Sequence, residues 1–199
     1  MIGTPLGERF DRAFALAVEL HRRHWRKGTT IPYVAHLMGV AAIVLEHGGG
    51  EDEAAAALLH DSVEDQGGTA TLARIRAELG DAIADTVAAV SDTDVTPKPP
   101  WRERKERYLA HLRGASAAAR LVSAADKLHN ARSIVADLRN QRGTVWDRFA
   151  GGRDGTLWYY RSLVDALRAG RPPGGPPVTL LDELARTVAE MEQLAAEGP

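Results

Sequence analysis

Apolar side chains recur along this chain at intervals of three to four residues, the period of an amphipathic α-helix. In the first such stretch Phe10, Phe14, Ala17 and Val18 repeat at this spacing, and alternating runs of β-branched residues are rare elsewhere. Alanine and leucine, both strong helix formers, are abundant. The pattern predicts an all-α protein, a compact bundle of several helices without a β-hairpin or a coiled-coil heptad series.

Glycines, prolines and acidic residues set the predicted boundaries of these helices. The acidic run at 51–53 favours a helix N-terminus, because carboxylates are stabilised by the positive end of the helix dipole. The following stretch, residues 54–59, is apolar on all sides, which indicates a central buried helix. The third predicted helix begins at residue 51 and continues through the segment 60–65. The other predicted helices span residues 9–25, 33–47, 71–79, 81–90, 101–112, 115–138, 156–167 and 179–196.

A proline- and glycine-rich segment at 171–177 cannot continue a helix and is typical of a linker. We therefore predict one domain over residues 1–170, followed by a linker and a C-terminal helix over residues 171–199 as an appendage. The sequence Thr179-Leu-Leu-Asp182 resembles a capping box that would open this helix. Its apolar face needs a partner surface, on the domain or on another subunit. That face comprises Leu180, Leu181, Leu184, Val188, Met191 and Leu194.

Composition and charge exclude several classes of protein. The 199 residues include no cysteine, which removes disulfide scaffolds, thiolate metal sites and cysteine nucleophiles. Twenty-five basic and 27 acidic residues give a net charge of −2, so no general affinity for nucleic acid or anionic membranes is implied. No apolar run approaches the roughly 18 residues needed to span a membrane, and the charged N-terminus does not resemble a secretory signal. We expect a cytoplasmic protein without nucleic-acid or membrane partners and leave its oligomeric state open.

Four side chains suited to metal binding lie in or beside apolar segments on three separate predicted helices: His36, His60, Asp61 and Asp126. A carboxylate is costly to bury unless it is paired or bound to a metal. A single buried histidine or aspartate is usually a hydrogen-bonded structural residue, so the hypothesis depends on the joint pattern. Imidazole and carboxylate groups together suit a divalent ion such as Mn²⁺, Fe²⁺ or Zn²⁺.

Two further carboxylates, Glu64 and Asp65, follow His60 and Asp61 at four-residue spacing on one predicted helical stretch. Alone, this pair would indicate a solvated helix end. Beside a metal site, the two groups could instead orient or deprotonate an attacking water.

Three ordered sequence blocks resemble the HD-domain metal-dependent phosphohydrolase superfamily. In detail they resemble the hydrolase domain of the RelA/SpoT-homologue family and its small alarmone hydrolases. The resemblance covers about residues 10–167 and implies the HD-domain helical fold. The blocks are Arg26-Lys27…Pro32-Tyr33-Val-Ala-His36, Ala57-Leu-Leu-His60-Asp61-Ser-Val-Glu64-Asp65 and Ala125-Asp126-Lys127-Leu128-His129-Asn130-Ala-Arg132.

The resemblance implies that His36, His60, Asp61 and Asp126 hold one Mn²⁺. It also implies that a carboxylate pair, Glu64 and Asp65, activates or positions the water. The implied reaction removes the 3′-pyrophosphate of (p)ppGpp, a small nucleotide, giving GDP or GTP and pyrophosphate. The substrate contacts that we predict with it are Arg26, Lys27, Lys98, Arg104, Asn130, Ser133 and Tyr159.

Two alternatives stay open at the level of sequence. One is an HD-type phosphohydrolase of another nucleotide or phosphorylated metabolite, which would keep the same metal ligands. The other is a non-catalytic nucleotide-binding or interaction module on the same fold. Since 199 residues leave no room for a synthetase domain, we expect that a protein of this kind would only degrade alarmones.

Overall fold

The computed structural model describes residues 5–92, 97, 99–141, 144–169, 173 and 175–197. This part of the chain is built of α-helices, which confirms the predicted all-α class. It also contains a 3-10 helix, Thr144–Arg148, and an isolated bridge between Trp25 and Pro32. Helices α1 to α10 span Glu8–Leu20, Val34–Glu46, Glu51–Leu59, Ser62–Asp65, Gly68–Leu79, Asp81–Val90, Trp101–Gly114, Ala117–Gln141, Gly152–Arg168 and Val178–Ala196.

Helix α3 lies at the centre of the bundle, as its apolar sequence predicts. Its first turn is fixed by the Glu53 carboxylate, which accepts a hydrogen bond of 2.9 Å from the Gly50 backbone N–H. Every side chain from Ala54 to Leu59 is buried. Because four of these six are alanines, the neighbouring helices α1, α2, α6 and α8 pack closely around α3.

The predicted first helix is too long, since α1 ends at Leu20. The chain then reverses direction. The Arg26 backbone N–H donates to the Ile31 carbonyl at 2.9 Å, and the Tyr33 N–H donates to the His24 carbonyl at 2.9 Å. This backbone pairing replaces the last helical turns that we expected and places the predicted basic pair of residues in a tight turn.

The predicted single helical stretch through residues 60–65 is also wrong. Helix α3 ends at Leu59, and α4 begins at Ser62. At the break, His60 and Asp61 both keep backbone angles in the right-handed helical region. His60 Nε2 lies only 3.0 Å from Asp61 Oδ2.

The C-terminal helix α10 packs on α8 and α9 of the same chain. It begins directly after Pro177 without a side-chain cap, so the predicted capping box at Thr179 is not formed. Ion pairs between its acidic residues and arginines of α8 and α9 border the packed face; they are Arg132–Glu183, Arg139–Glu190, Arg161–Glu192 and Arg168–Asp182. The division into a domain and an appendage at residue 170 stays a prediction.

Among the described residues, no helix is both long and apolar enough to cross a lipid bilayer.

Candidate active site

Three buried side chains converge where α2, the end of α3 and α8 meet. His36, His60 and Asp126 each offer one ligand atom, and these atoms all lie within 4.8 Å of one another. His36 Nε2 is 3.3 Å from Asp126 Oδ1 and 3.3 Å from His60 Nε2. Asp61 borders the same point, with its Oδ2 atom 3.6 Å from His36 Nε2. The structure therefore brings together the four residues that the sequence predicts as metal ligands.

Both imidazoles direct Nε2 towards this centre and use Nδ1 for an outer hydrogen bond. His60 Nδ1 lies 2.8 Å from the Ala57 carbonyl oxygen, an acceptor, so this nitrogen carries a proton. His36 Nδ1 lies 2.9 Å from Nδ1 of His129. A histidine bound to a metal commonly holds its other ring nitrogen in this way, which fixes the orientation of the ring.

The Asp126 carboxylate is held by neighbours on its own helix. Lys127 Nζ donates to Oδ2 at 2.6 Å, and Asn130 Nδ2 donates to Oδ1 at 2.6 Å. The Asn130 Oδ1 atom in turn accepts a hydrogen bond of 3.1 Å from Arg26 Nη1. This chain of contacts connects the turn that carries Arg26 to the centre.

Burial opposes every charge in this centre, but the opposite charges outweigh burial. The Asp61 and Asp126 carboxylates raise the pKa of His60 well above its usual range. His60 and His36 hold the pKa of Asp61 well below its usual range. Against the same burial, Lys127 and His60 hold the pKa of Asp126 low, and Asp126 raises the pKa of Lys127. The ionised carboxylates thus draw a proton onto His60; a divalent cation would supply that positive charge instead, so the donor set fits one.

A cavity of about 570 Å³ lies beside the centre. The centre and the cavity share three residues that line the cavity and also donate hydrogen bonds to the carboxylates of Asp61 or Asp126. These residues are Tyr33, Lys127 and Asn130. The positively charged side chains in its wall are Arg26, Lys27, Lys105, Lys127 and Arg148. The aromatic ones are Tyr33, Trp101, Phe149, Tyr159 and Tyr160. Cations together with flat apolar rings suit an anionic ligand that carries a ring system.

Most of the predicted substrate contacts line this cavity, namely Arg26, Lys27, Asn130, Ser133 and Tyr159. Arg104 is not among the lining residues; its guanidinium pairs with Asp92 and donates to the Pro99 carbonyl at 3.2 Å. Lys98 lies outside the described residues.

The predicted catalytic carboxylates lie on the short helix α4. Glu64 is half-buried and Asp65 is exposed. Burial and the neighbouring Lys127 lower the pKa of Lys105, while Asp92 and Glu64 act in the opposite direction. Glu64 is therefore near enough to act electrostatically on an ammonium group in the cavity wall.

Sequence reasoning missed several residues of this site. Lys105 lines the cavity with its Nζ 2.8 Å from Asp92 Oδ2 and 5.1 Å from the centre of the Tyr159 ring. The Tyr33 hydroxyl donates to Asp61 Oδ2 at 2.5 Å. In the sequence, Lys105 lies in a charged run at 102–107 that follows three prolines, at 97, 99 and 100, and Tyr33 lies in the segment that ends at His36. The available signal was their position beside predicted site residues.

The sequence of this chain matches a protein-family model and is similar to the sequences of known proteins. The model of the HD domain family matches residues 13–157. The guanosine-3′,5′-bis(diphosphate) 3′-pyrophosphohydrolase MESH1 of Xenopus tropicalis is 39% identical over 121 residues, which cover 59% of this chain and 65% of that protein. MESH1 of Drosophila melanogaster is 31% identical over 170 residues, 84% of this chain and 89% of that protein. The chain thus spans slightly less than two thirds of the length of its vertebrate MESH1 relatives.

Solved structures give the same picture over more of the chain. A metazoan orthologue of SpoT that hydrolyses ppGpp superposes with a TM-score of 0.76 at 28% identity, covering 94% of this chain and 98% of that one. A protein from Listeria monocytogenes superposes with a TM-score of 0.68 at 34% identity, covering 79% of this chain and 99% of that one.

Proposed function

Since this chain belongs to the HD domain family, we propose that it hydrolyses the 3′-pyrophosphate of the guanosine alarmones ppGpp and pppGpp, giving GDP or GTP and pyrophosphate. The observation that carries the proposal is the buried cluster of metal-ligand side chains beside a cavity walled by cations and aromatic rings. The activity named for the MESH1 relatives supports it. The proposal includes a cytoplasmic location.

The ion in this proposal is one Mn²⁺ held by His36, His60, Asp61 and Asp126. When bound, such an ion lowers the pKa of water and neutralises charge on phosphate oxygens. Oxygen and imidazole ligands without thiolate suit Mn²⁺. Asp126 and Asp61 are held ionised at neutral pH by their neighbours, so they need not lose a proton before binding a cation.

Glu64 and Asp65 are the residues we propose to handle the attacking water. Hydrolysis forms a bond between the water oxygen and phosphorus and breaks the bond from phosphorus to the ribose 3′ oxygen, which leaves as a hydroxyl after gaining a proton. A carboxylate that accepts the proton of the water as the new bond forms lowers this barrier. Glu64 suits the role because it is half-buried and lies on the turn directly after Asp61.

The cavity wall supplies the remaining interactions. An alarmone carries two polyphosphate groups, and its charge is met by Arg26, Lys27, Lys105 and Lys127. The guanine ring has flat partners in the aromatic part of the wall, where Tyr159 is buried against Lys105. Binding energy from both ends of the nucleotide would hold the scissile bond at the metal centre.

Incubation of the purified chain with ppGpp and Mn²⁺ tests the proposal. We expect GDP and pyrophosphate in equal amounts, with none formed in excess chelator. Turnover of a different nucleotide or phosphorylated metabolite, with ppGpp untouched, would leave an HD-type phosphohydrolase and remove the alarmone. Binding of ppGpp without turnover at any metal tested would indicate a non-catalytic module.

A further inference from the structure

We propose that His129 is a positioning residue for the metal centre, because its ring accepts a hydrogen bond from His36 Nδ1 and keeps His36 Nε2 free to bind the ion. The inference rests on the metal site of the proposed function and assigns that site a residue outside the ligand set.

The hydrogen-bond geometry leaves one arrangement compatible with metal binding. The Nδ1 atoms of His36 and His129 lie 2.9 Å apart, so one of them carries a proton and the other accepts it. If the proton belonged to His129, a neutral His36 would carry its own proton on Nε2, the atom that faces Asp126 Oδ1 at 3.3 Å. A protonated Nε2 cannot bind a metal ion. The proton between the rings therefore belongs to His36, and His129 carries its proton on Nε2.

Helix α2 leaves space for this ring. Gly39 lies three residues after His36, and a Cβ atom at Gly39 would lie 2.4 Å from both Cδ2 and Nε2 of His129. Real side chains do not tolerate such a distance, so only glycine lets the ring reach its place. His129 itself lies three residues after Asp126 on α8, so α8 supplies both a ligand and the group that orients another ligand.

The two imidazoles of the centre differ in how they are held. His60 Nδ1 meets the Ala57 carbonyl, which belongs to the backbone of the preceding helix and cannot be removed by a substitution. His36 Nδ1 meets a side chain from another helix. A change at residue 129 therefore disturbs His36 alone, while His60 keeps its orientation.

The experiment is a calorimetric titration of Mn²⁺ into the chelator-stripped, full-length chain. Two variants of similar size separate hydrogen bonding from packing: in His129→Asn the side-chain oxygen takes the place of Nδ1 as acceptor, whereas in His129→Leu a methyl group does. Loss of such an outer contact typically costs about 10- to 100-fold in metal affinity. We expect that loss in His129→Leu and a Kd within about fivefold of the original in His129→Asn.

The matched control is His47→Leu, which removes a histidine at the far end of α2 whose Nδ1 meets the Ile43 carbonyl. The Kd of this control variant for Mn²⁺ should be unchanged.

Thermal unfolding in chelator accompanies each titration and reports the metal-free fold. Equal Mn²⁺ affinity in His129→Leu and the original chain would overturn the inference. Equal losses in the Leu and Asn variants, with a lowered metal-free Tm, would overturn it in favour of a packing role. If His129→Leu does not fold, His129→Met replaces it in the same comparison. Mn²⁺ binding that follows the expected order in a chain that does not cleave ppGpp would support the inference and remove only the substrate. Absence of Mn²⁺ binding in the original chain would overturn both.

Discussion

Helix α8 carries two buried charged groups, Arg120 and Asp126, and their surroundings differ in kind. Arg120 is fully buried, and its guanidinium donates to backbone oxygens at the ends of α7 and α9. Carbonyls at the end of a helix lack the regular backbone donor four residues further on, so the arginine supplies donors to them. The four acceptors are the carbonyl oxygens of Leu112, Arg113, Leu167 and Ala169, at 2.7, 3.3, 2.6 and 2.9 Å.

Asp126 lies less than two helical turns from Arg120, and ionisable groups from three helices surround it. Its Oδ1 atom faces the Nε2 atoms of His36 and His60 at 3.3 and 3.5 Å, and Asp61 adds a second carboxylate. The two buried charges on α8 therefore have different roles. A charge whose partners are backbone carbonyls holds the fold together, whereas converging imidazole and carboxylate groups form a place for a cation.

The largest expected effect is that of Asp126→Ala. The substitution removes a ligand, so we expect Mn²⁺ affinity and ppGpp turnover to fall by more than about 10³-fold, beyond the loss typical of an outer contact. The metal-free fold should keep its stability, because the change also relieves a crowded buried charge. Calorimetry, turnover and urea unfolding in chelator measure the three quantities. Undiminished Mn²⁺ binding would remove Asp126 from the ligand set.

Glu64→Gln is expected to separate metal binding from catalysis. The amide keeps the size of the side chain but cannot accept a proton, so kcat should fall by about 10²- to 10⁴-fold. Affinity for Mn²⁺ should stay within about threefold of the original. Rate measurements at saturating ppGpp, alongside the metal titration, give the answer. Full turnover in this variant would mean that another group accepts the proton.

Arg120→Met is the opposite test, since it should affect the fold and spare the site. Removing the guanidinium leaves buried carbonyls without donors, which we expect to lower the free energy of unfolding by about 3 kcal/mol. Mn²⁺ affinity of the folded variant should not change. The matched control is Arg107→Met on α7, an exposed arginine paired with Glu103 at 2.8 Å, whose loss should cost less than about 1 kcal/mol. Similar costs for the two variants would contradict the structural role of Arg120.

The smallest expected effect concerns His21, a buried histidine beside the centre. Burial and the nearby His24 lower the pKa of His21 to about 4, against 6.5 in an unfolded chain. Between these values the unfolded chain binds more protons, so this contribution to stability is complete above about pH 6.5 and is lost as the pH falls towards 4. In His21→Phe, which keeps a ring against Tyr33, the slope of unfolding free energy near pH 5 should decrease by about 1 kcal/mol per pH unit. Urea unfolding in chelator at several pH values measures it; an unchanged slope would show that His21 titrates normally.

Local sequence patterns predicted much of this molecule. The spacing of apolar residues located the helices, and the boundaries at Asp81, Val90 and Trp101 agree with the structure. The metal-ligand candidates could be predicted because charged and imidazole groups within apolar helices need a reason to be there. The turn at Arg26 could not, since it depends on backbone pairing with Ile31 across the reversal.

Contacts between helices could not be predicted from the sequence for the same physical reason. The approach of His129 to Gly39 depends on how α8 crosses α2, which no local pattern specifies. Arg120 sits in an alanine-rich stretch and would ordinarily be placed at the surface; only the meeting of two helix ends on α8 explains its burial. The break between α3 and α4 falls at His60 and Asp61, neither of which is a helix-breaking residue, so no local pattern marks it.

The most direct test of this account is anomalous diffraction from crystals of the chain grown with Mn²⁺. We expect one strong peak per chain, surrounded by His36 Nε2, His60 Nε2 and the carboxylates of Asp61 and Asp126, and no peak near Arg120. A crystal soaked in saturating Mn²⁺ that shows no peak among these four side chains, or shows its peak elsewhere, would contradict a cation site at this centre.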